Sequence, residues 1–133
     1  MHLPRVIALT LLTVVTAAPQ AALAQAHNHG PSNGGQLVKI GVYEGELVVK
    51  GSDVTLFVED DKEKAADASK LSATAVVLAK GNEQKTIQLK PAGDNKLTGK
   101  VDFPVEGKFR ATVTLMSGTT EIGKGRYNLD PLR

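Results

Sequence analysis

The chain has no cysteine, no tryptophan, only three histidines, and few aromatics of any kind, with two tyrosines and three phenylalanines in 133 residues. Without cysteine there is no disulfide framework, no thiolate zinc site, no thiol nucleophile and no lipid-modified cysteine. Histidine is the commonest metal ligand and general base, so its scarcity narrows both metal and catalytic chemistry to a few positions. The formal net charge is only +2, which gives no reason to expect a nucleic-acid partner. At this length a single domain is expected.

What is present begins with an export signal. Arg5 precedes a run from Val6 to Ala18 that is almost wholly apolar or small, with Leu9, Leu11, Leu12, Val14 and Val15 at its centre, and Pro19 breaks the run. A charged start, a short apolar stretch and small residues at a cleavage site are the order of a secretory signal. A retained anchor is the competing reading, but a spanning helix needs about 20 apolar residues, so no stable membrane insertion is expected after cleavage. Residues 1–24 are therefore assigned as signal peptide and the mature protein to the periplasm. Two registers satisfy the small-x-small rule: Ala22-Leu23-Ala24, with Gln25 first, and Ala24-Gln25-Ala26, with His27 first. Either removes His2 and leaves His27 and His29 near the new amino terminus.

Residues 25–35 carry His27-Asn28-His29-Gly30-Pro31-Ser32-Asn33-Gly34-Gly35, a polar stretch expected to be a flexible tail. From residue 36 to 133 apolar and polar residues alternate in short runs separated by turn residues, which reads as an all-β domain of about seven to eight strands. The expected strands are 36–42, 45–50, 53–59, 72–80, 85–90, 96–103, 108–116 and 120–129. Their inward faces are Val54, Leu56 and Val58; Val76 and Leu78; Ile87 and Leu89; and Phe109, Ala111, Val113 and Leu115. Asp60 to Lys70 is the least strand-like piece and is expected to hold a short helical turn. An immunoglobulin-like β-sandwich is the first choice, without the cysteine pair and tryptophan of antibody domains, and a small open β-barrel is the alternative.

The mature amino terminus is the strongest chemical constellation. A free amine, two deprotonated backbone amides and an imidazole at the third position form a planar four-nitrogen set suited to copper(II) or nickel(II) rather than tetrahedral zinc. Both cleavage registers put histidine third, as His27-Asn28-His29 or Gln25-Ala26-His27. Cyclisation of an N-terminal Gln25 would remove the amine and leave only the histidine pair. Glu44 and Glu46, two apart on one strand face, are candidate oxygen ligands to a metal; the plainer reading makes them solvent-facing carboxylates on an edge or hairpin strand. The acidic run from Glu59 to Lys64 lacks the spacing and glycine of a helix-loop-helix calcium loop and reads as a charged turn. Gly34-Gly35 has no lysine, serine or following helix to make a phosphate loop.

Catalysis has little support. The region from residue 36 onward contains no histidine and no cysteine, so a serine nucleophile lacks its usual base. Paired carboxylates acting on glycosides need a cleft and aromatic stacking surface. The protein is expected not to be an enzyme.

The stretch from His29 to Val38, with Gly41-Val42-Tyr43-Glu44-Gly45-Glu46-Leu47-Val48, resembles the small periplasmic domain found N-terminally in heavy-metal efflux adaptor subunits of the cobalt-zinc-cadmium type and as stand-alone exported proteins. Val54 to Val58, Leu89 to Lys100 and Val113-Thr114-Leu115 are similar to that family too. The resemblance implies a periplasmic sandwich that handles metal by binding, an efflux complex as partner, and zinc or cobalt as its metal. It also implies a departure: Glu44 stands where the family usually places a histidine after the strand tyrosine, leaving His29 as the matching nitrogen donor. A chain ending at Arg133 leaves no room for an adaptor's hairpin and lipoyl-like parts, so an accessory role is expected. The competing function is an envelope protein–protein interaction module with no metal role.

Overall fold

The alternation that begins at residue 36 becomes eight antiparallel strands in the computed structural model, which describes His2 and residues 30–132. They are β1 (Gln36–Ile40), β2 (Tyr43–Lys50), β3 (Asp53–Glu59), β4 (Leu71–Leu78), β5 (Gln84–Pro91), β6 (Lys96–Lys100), β7 (Phe109–Ser117) and β8 (Thr120–Leu129). Apart from His2, the expected signal peptide lies outside the described residues, as do His27 and His29.

Three of the turns explain themselves. Gly41-Val42, Gly51-Ser52 and Gly118-Thr119 are two-residue hairpin loops, each opening on a glycine with φ of 58–60°. A positive φ at the first loop residue matches the right-handed twist of the flanking strands, and glycine adopts it without steric cost.

The strands form one sheet in the order β1-β2-β3-β6-β5-β4-β7-β8. Within it β4, β5 and β6 are consecutive hairpin neighbours and β7 returns beside β4, which is a Greek-key arrangement. β5 joins the two halves: Gln84 to Leu89 pair with β4, while Lys90 and Pro91 pair with β6. The end strands β1 and β8 come together at a seam where the Asn128 N–H donates to Gln36 Oε1 at 2.8 Å. The sheet is thus nearly closed, an all-β form that fits both the sandwich and the small-barrel expectation.

Inside it lie Ile40, Leu47, Val54, Leu56, Val58, Leu89, Leu97, Phe109, Val113 and Leu115, all essentially inaccessible to solvent. Each such side chain contributes about 1.5–3 kcal/mol through burial. Tyr127 joins this core, and its phenol donates to the Gly45 carbonyl at 2.7 Å, tying β8 to β2 across the interior.

Four local expectations are corrected. On β4 the inward residues are Leu71, Ala73, Ala75 and Val77, and Val76 points outward, 37% exposed. Pairing sets this phase: Ala73, Ala75 and Val77 stand opposite Leu115, Val113 and Ala111 of β7, and directly opposed residues share a face. β1 stops at Ile40, because Val42 lies in the hairpin loop and is 70% exposed. β6 stops at Lys100, because the next N–H, that of Val101, is taken by the Ser52 carbonyl. The stretch after Glu59 is not helical. Asp60 Oδ1 accepts the N–H groups of Lys62 and Lys64 at 2.8 and 3.0 Å, the Asp60 N–H donates to the Lys64 carbonyl, and a bridge between Glu59 and Ala65 returns the chain to the sheet. Local capping by an aspartate competes with helix here and wins.

Candidate functional site

β2 is flanked by β1 on one side and β3 on the other, so neither Glu44 nor Glu46 lies on an edge strand. Gly45, Leu47 and Val49 face the core. Glu44 and Glu46 therefore share the outer face. An outer-face carboxylate would ordinarily be solvated, yet Glu46 is only 2% exposed.

The cover is the segment just upstream of β1. Glu46 Oε1 accepts the backbone N–H of Ser32 at 3.0 Å, that of Asn33 at 3.1 Å and the Asn33 side-chain amide at 3.0 Å. Oε2 accepts the N–H groups of Asn33 at 2.8 Å and Gly35 at 2.9 Å. A concave run of backbone N–H groups is a ready cradle for an anion, and here the anion is part of the same chain. Hydrogen bonds to an ionised acceptor are about twice as strong as neutral ones, which allows a carboxylate to sit under the loop without a cationic partner.

Two glycines make the cradle. Gly34 takes φ of +79°, which turns the chain so that the N–H groups on both sides converge. Gly35 lies so close to β2 that a Cβ there would come within 2.1 Å of the Leu47 carbonyl oxygen. The sequence reading placed Ser32 to Gly35 in a flexible tail; the structure ties three of these four residues to Glu46.

Glu44 lies two residues away on the same face, partly buried, opposite Lys39 of β1 and Glu59 of β3. Between the two carboxylates the Gly45 carbonyl is held from inside by Tyr127. This part of β2 is therefore fixed from both sides, by the phenol beneath it and the loop above. Burial pushes the Tyr127 phenol well above its ordinary value.

Of the four residues named as metal candidates, the structure places Glu44 and Glu46 together on one face, while His27 and His29 lie outside the described residues. Both oxygens of Glu46 are occupied by N–H donors, so a metal ion there would have to displace them. The acidic stretch is self-contained. Backbone N–H groups of Lys64 and Lys62 hold the Asp60 carboxyl below its usual value, and the backbone N–H and side chain of Ser69 do the same for Asp67. Among the described residues no group of three or more histidine, aspartate or glutamate side chains is gathered to hold a metal, and no helix is long and apolar enough to cross a membrane.

The role of Glu46 was missed in the sequence, although a signal was there. A carboxylate on an outward position, some dozen residues after a Ser-Asn-Gly-Gly opening rich in N–H groups, is a pair of complementary features. No family model matches the chain, and no curated protein or solved structure matches it either.

Proposed function

We propose that this chain is a non-catalytic periplasmic metal-binding or metal-handling accessory protein linked to heavy-metal efflux or resistance. The observation that carries the reading is the junction between the Glu46 clamp and the sequence before it. Glu46 fixes the Ser32–Gly35 loop by five hydrogen bonds, and His29 and His27 stand three and five residues upstream of Ser32. The chain that leads into the proposed metal-binding segment is thereby held on β2 at Glu46, two residues from Glu44.

Two ligand sets follow. The new amino terminus with histidine third supplies four nitrogens to copper(II) or nickel(II). His27 and His29 with Glu44 supply a mixed nitrogen and oxygen set, which suits zinc or cobalt, the metals implied by the family resemblance. Glu46 anchors the segment. An efflux complex is the proposed recipient of the metal.

The test is a copper(II) titration of the tag-free, correctly processed protein, with its N-terminal mass measured first. A one-to-one complex with the visible band of a planar four-nitrogen site is expected. After cleavage behind Ala26 the band should vanish in His29→Ala, and after cleavage behind Ala24 in His27→Ala. A band that survives loss of both histidines refutes the site. No binding at micromolar metal, with an envelope protein recovered in its place, would assign the chain to the interaction-module class.

A further inference from the structure

The outward face of β4, β7 and β8 has no part in the metal reading. A shallow groove of about 380 Å³ crosses it, lined by Leu78, Gln84, Arg110, Thr112, Arg126 and Asn128 among others, with no aspartate or glutamate in its wall. In the β7–β8 ladder Arg110 stands opposite Asn128 and Thr112 opposite Arg126. The two arginines are thus diagonal neighbours on one face, about 7–8 Å apart at Cα. That spacing lets two guanidinium groups converge on one anion.

Glu83, next to Gln84 in the chain, pairs with Lys85 at 3.2 Å. Among the described residues neither Arg110 nor Arg126 has an acidic partner. Arg110 also borders a second hollow that holds Lys80 and Lys108 against a single acid, Glu106. Positive charge therefore continues along the groove.

The donor set selects the anion. Two guanidinium forks, the Thr112 hydroxyl and the amides of Gln84 and Asn128 offer more N–H and O–H groups than the two oxygens of a carboxylate can accept. A phosphomonoester brings three terminal oxygens and nearly two negative charges. The rest of the wall, with Val76 and Leu78, is apolar and gives the organic part of such an ester a surface to lie on. We propose that this groove binds the phosphoryl group of a small phosphomonoester.

The experiment is an NMR titration of the purified chain, following backbone amides, with inorganic phosphate, glucose 6-phosphate, glucose and acetate in turn. Saturable shifts centred on residues 110–112 and 126–128 are expected with both phosphates, and none with glucose. Arg110→Gln and Arg126→Gln should each weaken glucose 6-phosphate binding about tenfold, whereas Lys62→Gln should not. Both arginines are exposed, so the variants should keep the wild-type spectrum elsewhere. The proposal is overturned if neither phosphate gives a saturable shift, if binding is unchanged in the double arginine variant, or if acetate binds as tightly as phosphate. Binding to phosphatidic acid vesicles without any response to glucose 6-phosphate would overturn it as well, by assigning the groove to a membrane surface.

Discussion

Replacing Glu46 tests the clamp directly. Glu46→Ala removes the acceptor of five hydrogen bonds, four of them from the backbone N–H groups of Ser32, Asn33 and Gly35, and opens a gap under the loop. A hydrogen bond to a charged partner contributes about 1.5–3 kcal/mol, but the five cannot simply be added. Ser32 and Asn33 are exposed, so their freed N–H groups turn to water, whereas Gly35 is half-buried against β2. A loss of about 2–4 kcal/mol remains, and for a domain of this size that lowers Tm by about 10–20 °C. Glu46→Gln is the sharper variant. Its volume is unchanged and one oxygen still accepts, but its NH2 group must face N–H donors, so it should lose nearly as much. Thermal unfolding with amide hydrogen exchange reads both effects. Wild-type amides of residues 33 and 35 should be protected and become exchangeable in either variant. A Tm within about 2 °C of wild type for both variants would refute the reasoning.

The same variants separate the two ligand sets. The proposed planar copper chelate uses only the first three residues of the processed chain and needs nothing from the domain, so its visible band should persist in Glu46→Gln. A zinc or cobalt site that includes Glu44 needs the loop held beside β2 and should weaken. Loss of both in Glu46→Gln, with the fold intact, would mean that the copper site also depends on the domain.

Two further predictions concern the interior and the acid limb. Tyr127→Phe removes the hydrogen bond to the Gly45 carbonyl and should cost about 1–2 kcal/mol in urea unfolding near neutral pH. Because the folded-state phenol titrates above its unfolded value of 10.0, wild type should lose stability as pH rises past about 10, and the Phe variant should lack that part of the decline. Asp60 has the opposite sign. Its carboxyl is held below 3.8 in the folded state, so its contribution is present above that pH and disappears as pH falls through the folded-state value. The gap in stability between wild type and Asp60→Asn should therefore close on acidification, and a gap that widens would contradict the capping role.

The strands were legible because their signals are local. Gly51 and Gly118 announce two-residue turns, and alternation on either side of each sets a strand, whereas the turn at Gly41 is masked because Val42 continues the alternation of Val38 and Ile40. Legibility failed where the answer depended on a partner strand. Val76, Val77 and Leu78 are all apolar, so alternation alone offers two phases for β4; the pairing of Val77 with Ala111 and of Ala75 with Val113, 34 and 38 residues further on, decides between them. The clamp failed for the same reason. The Gly34-Gly35 pair and the Glu44/Glu46 pair were each visible, and each was read by itself, as tail and as solvated carboxylates. Only the pairing of Leu37 with Glu46 and of Gln36 with Leu47 brings the loop N–H groups over the carboxylate and makes them a single unit. Arg110 and Arg126, 16 residues apart, become neighbours only through the β7–β8 register, which carries a shift between Leu115 and Met116. Had that irregularity been absent, the one-residue change in register would have turned Arg126 away from the face that Arg110 occupies. The groove is therefore a property of the bulge as much as of the two arginines.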